Sequence, residues 1–101
     1  MPNNCIRIKH SNTIEKIDFA DIKWIQSENV YLEIHTRAKK LVIREQLSKF
    51  HEQLPESLFL RVHRSFVVNR SFTNRFDGTA VYIDDNRIPV SKKYKENLDD
   101  F

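Results

Sequence analysis

The stretch Phe59–Asn69, FLRVHRSFVVN, decides how this chain is read. Side chains alternate along a strand, so one straight strand would put Leu60, Val62, Arg64, Phe66 and Val68 on a single face. Arg64 would then enter the core, where an unpaired guanidinium is very costly. Either a buried carboxylate meets it, or the chain turns near His63 to Ser65 and projects Arg64 outward. The turn is the favoured solution. It holds an arginine, flanked by an imidazole and a hydroxyl, on a stiff β scaffold, which suits a phosphodiester or a base edge.

Upstream of this run the sequence reads as short strands: Cys5–Lys9, Thr13–Asp18, Ile22–Gln26, Val30–His35 and Leu41–Ile43, the third and fourth separated by the polar Ser27, Glu28 and Asn29. They lie too close together for crossover helices, so the sheets must be mainly antiparallel. One helix is predicted over Glu45–Leu54, where Leu47, Phe50 and Leu54 recur at helical spacing, Glu45 and Lys49 are placed to pair, and Pro55 ends the run. It would cover an open sheet face, with His51 at its surface or boundary. Downstream, Asp77 and Gly78 separate Phe72–Phe76 from Thr79–Ile83, and Asp85 and Asn86 separate that strand from Arg87–Val90. Asp-Gly is a strong hairpin signal, because both central positions of the usual turn need positive φ.

The chain closes in a short predicted helix, with Ser91 as N-cap and Tyr94, Leu98 and Phe101 as an apolar stripe. Lys92, Lys93 and Lys95 crowd its first turn, where cations oppose the helix dipole. Stability alone does not account for them; anion binding at that corner does.

The 101 residues make one domain, with a single modest core. No apolar run approaches the length of a membrane span, and the one cysteine, Cys5, cannot form an internal disulfide. A cytoplasmic protein is expected, with Cys5 serving as a small apolar residue. Charge is unevenly spread: Arg61 to Lys95 holds eight basic and three acidic residues, whereas the rest holds nine basic and eleven acidic ones. A positive C-terminal third is what a polyanion-facing surface requires, although ordinary surface lysines also produce a net charge of +3.

Catalysis is not expected. Ser65 and His63 lie two residues apart, but nothing marks an orienting third group or an oxyanion hole. With one glycine no phosphate-cradling loop can be built, so no nucleotide cofactor is expected. The four histidines and one cysteine lack metal-ligand spacing, and no metal is expected. Trp24, Tyr31 and Phe59 could stack bases, but their apolar surroundings make core packing the stronger reading.

Three blocks resemble the LytTR DNA-binding domain of bacterial response regulators: IDFADIKWIQSENVYLEIHT (Ile17–Thr36), FLRVHRSFVVN, and IPVSKKYKENL (Ile88–Leu98). They occur in family order with family-like spacing and span most of the chain. The resemblance implies about ten short, mostly antiparallel strands in a flattened sandwich with one mid-chain helix and a short C-terminal helix. It further implies that loops reach double-stranded DNA: two enter successive major grooves and a third segment touches the minor groove between them.

Aligned on the family, Arg64 takes the minor-groove position with Ser65 as a phosphate contact. The Ser91–Tyr94 loop, including Lys92, takes one major groove with Lys93 as principal base reader, and the Ser27–Val30 loop takes the other through Asn29. These residue types fit: arginine suits a narrow minor groove, lysine guanine or phosphate, asparagine adenine. His63 either contacts phosphate or hydrogen-bonds inside the sheet, and Arg61 and Arg70 would attract the backbone. The resemblance implies paired direct repeats as target, a receiver or sensor domain in the full-length protein, and an isolated domain that is monomeric off DNA. Two rivals remain: an RNA- or single-strand-binding β module would show exposed aromatic platforms, and a protein-interaction domain would use an open sheet edge.

Overall fold

The run from Phe59 to Asn69 folds back on itself. In the computed structural model, which describes residues 4–99 and Phe101, β6 (Phe59–His63) pairs antiparallel with β7 (Phe66–Asn69). His63 stands opposite Phe66, leaving Arg64 and Ser65 as the turn, and Arg64 is exposed.

The strands before this hairpin are β1 (Cys5–His10), β2 (Thr13–Asp18), β3 (Ile22–Glu28), β4 (Tyr31–Thr36) and β5 (Lys40–Arg44), followed by helix α1 (Leu47–Glu52). After it come β8 (Arg75–Phe76), β9 (Ala80–Ile83) and β10 (Asn86–Pro89). They build a two-stranded β1-β2 sheet, a five-stranded sheet ordered β5-β4-β3-β7-β6 and a three-stranded sheet ordered β10-β9-β8. All these pairings are antiparallel, and the extents of 41 × 33 × 24 Å are those of a flattened stack.

The five-stranded sheet is the middle layer, and both of its faces are buried. Ile25 and Val67 point to one side, where Ile6, Ile8 and Ile17 of the β1-β2 hairpin and Leu47 and Phe50 of α1 cover them. Trp24 and Val68, their immediate neighbours in sequence, point to the other side, against Val81, Ile83, Ile88 and Leu98. That alternation is the period-two rule applied to strands buried on both faces. Ile22 and Ile25 nevertheless share one cluster, because the register slips between Ile22 and Trp24 and a bulge restores the face. Each large side chain buried in this way contributes roughly 1.5–3 kcal/mol.

Several local expectations need correction. α1 begins at Leu47, so Glu45 lies outside it and its carboxylate accepts the Gln46 N–H at 2.9 Å instead of pairing with Lys49. Leu47, Phe50 and Leu54 are buried as their spacing requires. The C-terminal segment Lys92–Leu98 is a 3₁₀ helix, not an α-helix. The Ser91 side chain caps nothing, and its carbonyl accepts the Tyr94 N–H at 3.0 Å. With so short and tight a helix, the dipole argument for its lysines loses most of its force. Phe72 falls in a 3₁₀ turn, leaving Arg75–Phe76 as the strand. At the next hairpin only Gly78 has positive φ, since the Asp77 carboxylate closes the loop by accepting the Thr79 and Ala80 N–H groups. The last hairpin turns on Asp84 and Asp85, with Asn86 already in β10. Trp24 and Phe59 are buried, but Tyr31 is 48% exposed because it follows directly on a hairpin loop.

Candidate nucleic-acid interface

β3 and β7 end and begin at the same edge of the middle sheet, so the loops they carry meet there. Asn29 and Val30 form the two-residue loop between Glu28 and Tyr31, beside the Arg64–Ser65 turn. One hydrogen bond joins the two: the Ser27 N–H donates to the Ser65 carbonyl at 2.9 Å. The third segment is tied in through β6, whose Val62 carbonyl accepts the Ser91 N–H at 2.9 Å and whose Arg61 carbonyl accepts Asn97 Nδ2 at 2.8 Å. Asn29, Arg64 and the Ser91–Tyr94 loop are thus fastened to one hairpin.

The turn itself is braced from within. Arg61 donates through Nε to the His63 carbonyl at 2.8 Å and through a terminal nitrogen to the Arg64 carbonyl. His63 Nδ1 accepts the Ser65 N–H at 3.0 Å, and its ring stands edge-on to Phe66. Arg61 is therefore half-buried and committed inside the protein, and His63 makes the internal hydrogen bond. Arg61 and Lys93 both lie over the Tyr94 ring, at 5.5 and 5.4 Å from its centroid, so Tyr94 orients one cation from the strand and one from the loop. Lys92 and Lys93 are exposed.

Asn29 occupies the left-handed region at φ 56°. Asparagine tolerates that conformation better than most residues, so backbone geometry accounts for its presence, while its side chain remains exposed. Asn29 and Arg64 line one cleft of about 540 Å³ together with Ser27, Arg44, Glu45 and Arg61. Arg44 is not singled out by the sequence reading. Strand register supplies the missing signal, because β4–β5 pairing sets Arg44 opposite Tyr31, the first residue after the Asn29–Val30 loop.

Ion pairs among the described residues gather at one end of the middle sheet. Lys23–Asp84, Arg37–Asp21, Lys39–Glu15 and Lys40–Glu33 are ion pairs at the end where β3 and β5 begin. At the other end, no ion pair among the described residues involves Arg44, Arg61, Arg64, Lys92 or Lys93. Arg61 is spent on the turn, whereas Arg44, Arg64, Lys92 and Lys93 are exposed.

His63 gives this end a measurable pH signature. Burial, with Arg64 and Arg61 nearby, holds its imidazole below the ordinary value of 6.5. The folded state therefore binds fewer protons than the unfolded one, and stability falls as the pH drops below the ordinary imidazole range. A protonated Nδ1 can no longer accept the Ser65 N–H. His63→Asn keeps an acceptor two residues from that N–H without titrating. Melting temperatures from pH 7.5 to 5 are expected to fall more steeply for the wild type than for this variant. Because His35 shifts in the same direction by burial, the difference between the two curves, not the wild-type curve, isolates His63.

An antiparallel β scaffold that gathers unpaired cations and three fastened loops at one end is a polyanion-binding module. The LytTr DNA-binding domain family model matches residues 12–101, and the chain belongs to that family. Sensory transduction protein LytT of Bacillus subtilis (strain 168) is 33% identical over 88 residues, covering 81% of this chain and 36% of that protein. The chain thus spans about a third of that relative's length. Among solved structures, the LytTr DNA-binding domain of a putative methyl-accepting/DNA response regulator from Bacillus cereus has a TM-score of 0.81 at 20% identity. It covers 98% of this chain and 96% of that one, a likeness of fold.

Proposed function

We propose that this domain binds duplex DNA sequence-specifically, as the output module of a bacterial response regulator. The observation that carries the reading is the set of unpaired cations at the loop-bearing end of the middle sheet, against ion-paired charges at the opposite end. Arg64 enters a minor groove, with Ser65 on an adjacent phosphate. Lys93, supported by Ser91, Lys92 and Tyr94, reads one flanking major groove, and Asn29 reads the other. Arg61 and His63 hold the central turn in shape. The role is one of binding, not catalysis.

The length of the Bacillus subtilis relative supports a receiver or sensor domain elsewhere in the full-length protein. Two copies would occupy paired direct repeats, each monomeric off DNA, in the cytoplasm. Aromatic platforms do not favour single strands here: Tyr31 is the aromatic beside the cleft loop that exposes about half its surface, and stacking proteins present several such rings.

Selection from a random duplex library supplies a cognate site, and titration of that duplex against its separated strands at fixed salt tests the reading. Duplex is expected to win, with a log–log salt slope equivalent to roughly four to six phosphates per domain. A flat salt response, or preference for the single strand, defeats it.

A further inference from the structure

We infer that Arg44 clamps one backbone phosphate in the cleft between the Asn29 loop and the central turn, beside the minor groove that Arg64 enters, making β5 a fourth DNA-contacting element. The inference rests on the duplex-binding reading and adds a residue to it. Arg44 is the last residue of β5, Arg64 sits in the β6–β7 turn, and both line the same cleft with Ser27 and Asn29. Both are exposed, and among the described residues neither guanidinium has an ion-pair or hydrogen-bond partner. The acidic residue lining the cleft, Glu45, turns its carboxylate to its own neighbour's N–H.

Two like charges facing one cleft repel each other unless an anion lies between them, and a guanidinium fork matches the oxygens of a phosphate. Register fixes where Arg44 emerges from the sheet. Its cross-strand neighbour is Tyr31, and opposed side chains on an antiparallel pair are in reach of each other. A phosphate seated there lies between the segment assigned to one major groove and the segment assigned to the minor groove. Its capture would fix the register between the two base-reading contacts without itself reading a base.

The test compares Arg44→Ala, Arg44→Gln, Arg44→Lys and Lys16→Ala with the wild-type domain on cognate and scrambled duplexes across a salt series. Lys16 is exposed on β2 and lines no part of this cleft, so it reports the effect of losing one positive charge alone. Arg44→Ala and Arg44→Gln are expected to weaken cognate and scrambled binding alike, on the order of 10-fold, and to lower the salt slope by about 0.9. Arg44→Lys should recover part of the loss, because a point charge replaces the fork. Melting temperatures should stay near wild type, since the side chain holds no partner. The clamp is overturned if either neutral variant binds like Lys16→Ala, or if it changes the preferred sequence. Normal wild-type binding with unaffected Arg44 variants defeats the clamp alone, whereas failure of the wild type to prefer duplex defeats the duplex-binding reading with it.

Discussion

Asn69→Asp is expected to cost more than about 3 kcal/mol at pH 7, a large part of the roughly 5–15 kcal/mol that holds such a domain together. Asn69 is fully buried, at 0% exposure, where β7 leaves the middle sheet. Its amide donates to the Ile22 carbonyl at 2.8 Å and, more weakly, to the Phe19 carbonyl at 3.4 Å, and its Oδ1 accepts the Ser71 N–H at 2.8 Å. A carboxylate keeps the last contact but turns an ionised oxygen toward two carbonyl oxygens, out of reach of bulk solvent. Asn69→Ala leaves the same carbonyls unsatisfied without adding a charge, and should cost about 1–3 kcal/mol.

The order of the two variants tests the mechanism, and pH separates them further. Burial raises the introduced carboxyl above its unfolded value of about 3.9, so the folded state holds a proton that the unfolded state has lost. The deficit of Asn69→Asp should therefore shrink as the pH falls from 7 toward 5, while that of Asn69→Ala stays nearly constant. Urea unfolding at both pH values measures this. Equal, pH-independent losses would mean that Asn69 acts only by filling space.

Asn69 also marks the limit of what the sequence discloses. The turn at Arg64 is legible, because one charged residue in an apolar register has few physical solutions, and antiparallel pairing follows from spacings too short for crossovers, though the β5-β4-β3-β7-β6 order does not. The polar residue closing the same run is not: after Val67 and Val68, an asparagine reads equally as a solvent-facing strand end and as a buried tie to β3. Ser91 failed in the opposite direction. It stands at the N-cap position as its signature suggests, but its side chain makes no cap hydrogen bond, while its N–H donates to the Val62 carbonyl and its own carbonyl accepts the Tyr94 N–H. Apolar neighbours make Tyr31 read as core, and the place of Arg44 beside the Asn29 loop appears only once strands are paired. Composition and periodicity fix which side chains face inward. They do not fix which loops share an edge.

The loops at that edge carry the largest expected effects on binding. Arg64→Ala and Lys93→Ala should each weaken cognate duplex binding by about 1–3 kcal/mol. Structure argues that neither loss would come from unfolding. Arg64 contributes its carbonyl to the Arg61 brace, which alanine retains, and its side chain is exposed. Lys93 lies over the Tyr94 face at 5.4 Å, and an exposed cation–π contact is worth about 0.5–1 kcal/mol. The two variants should also differ in kind. On the proposed assignments, Lys93→Ala should broaden the selected sequence at one position, whereas Arg64→Ala should blunt the preference for a narrow, A·T-rich minor groove between the half-contacts. Selection from a random duplex library with each variant distinguishes these patterns, and melting temperatures close to wild type are required of both. A variant that melts early was holding the fold, and its assignment to the DNA surface falls with it.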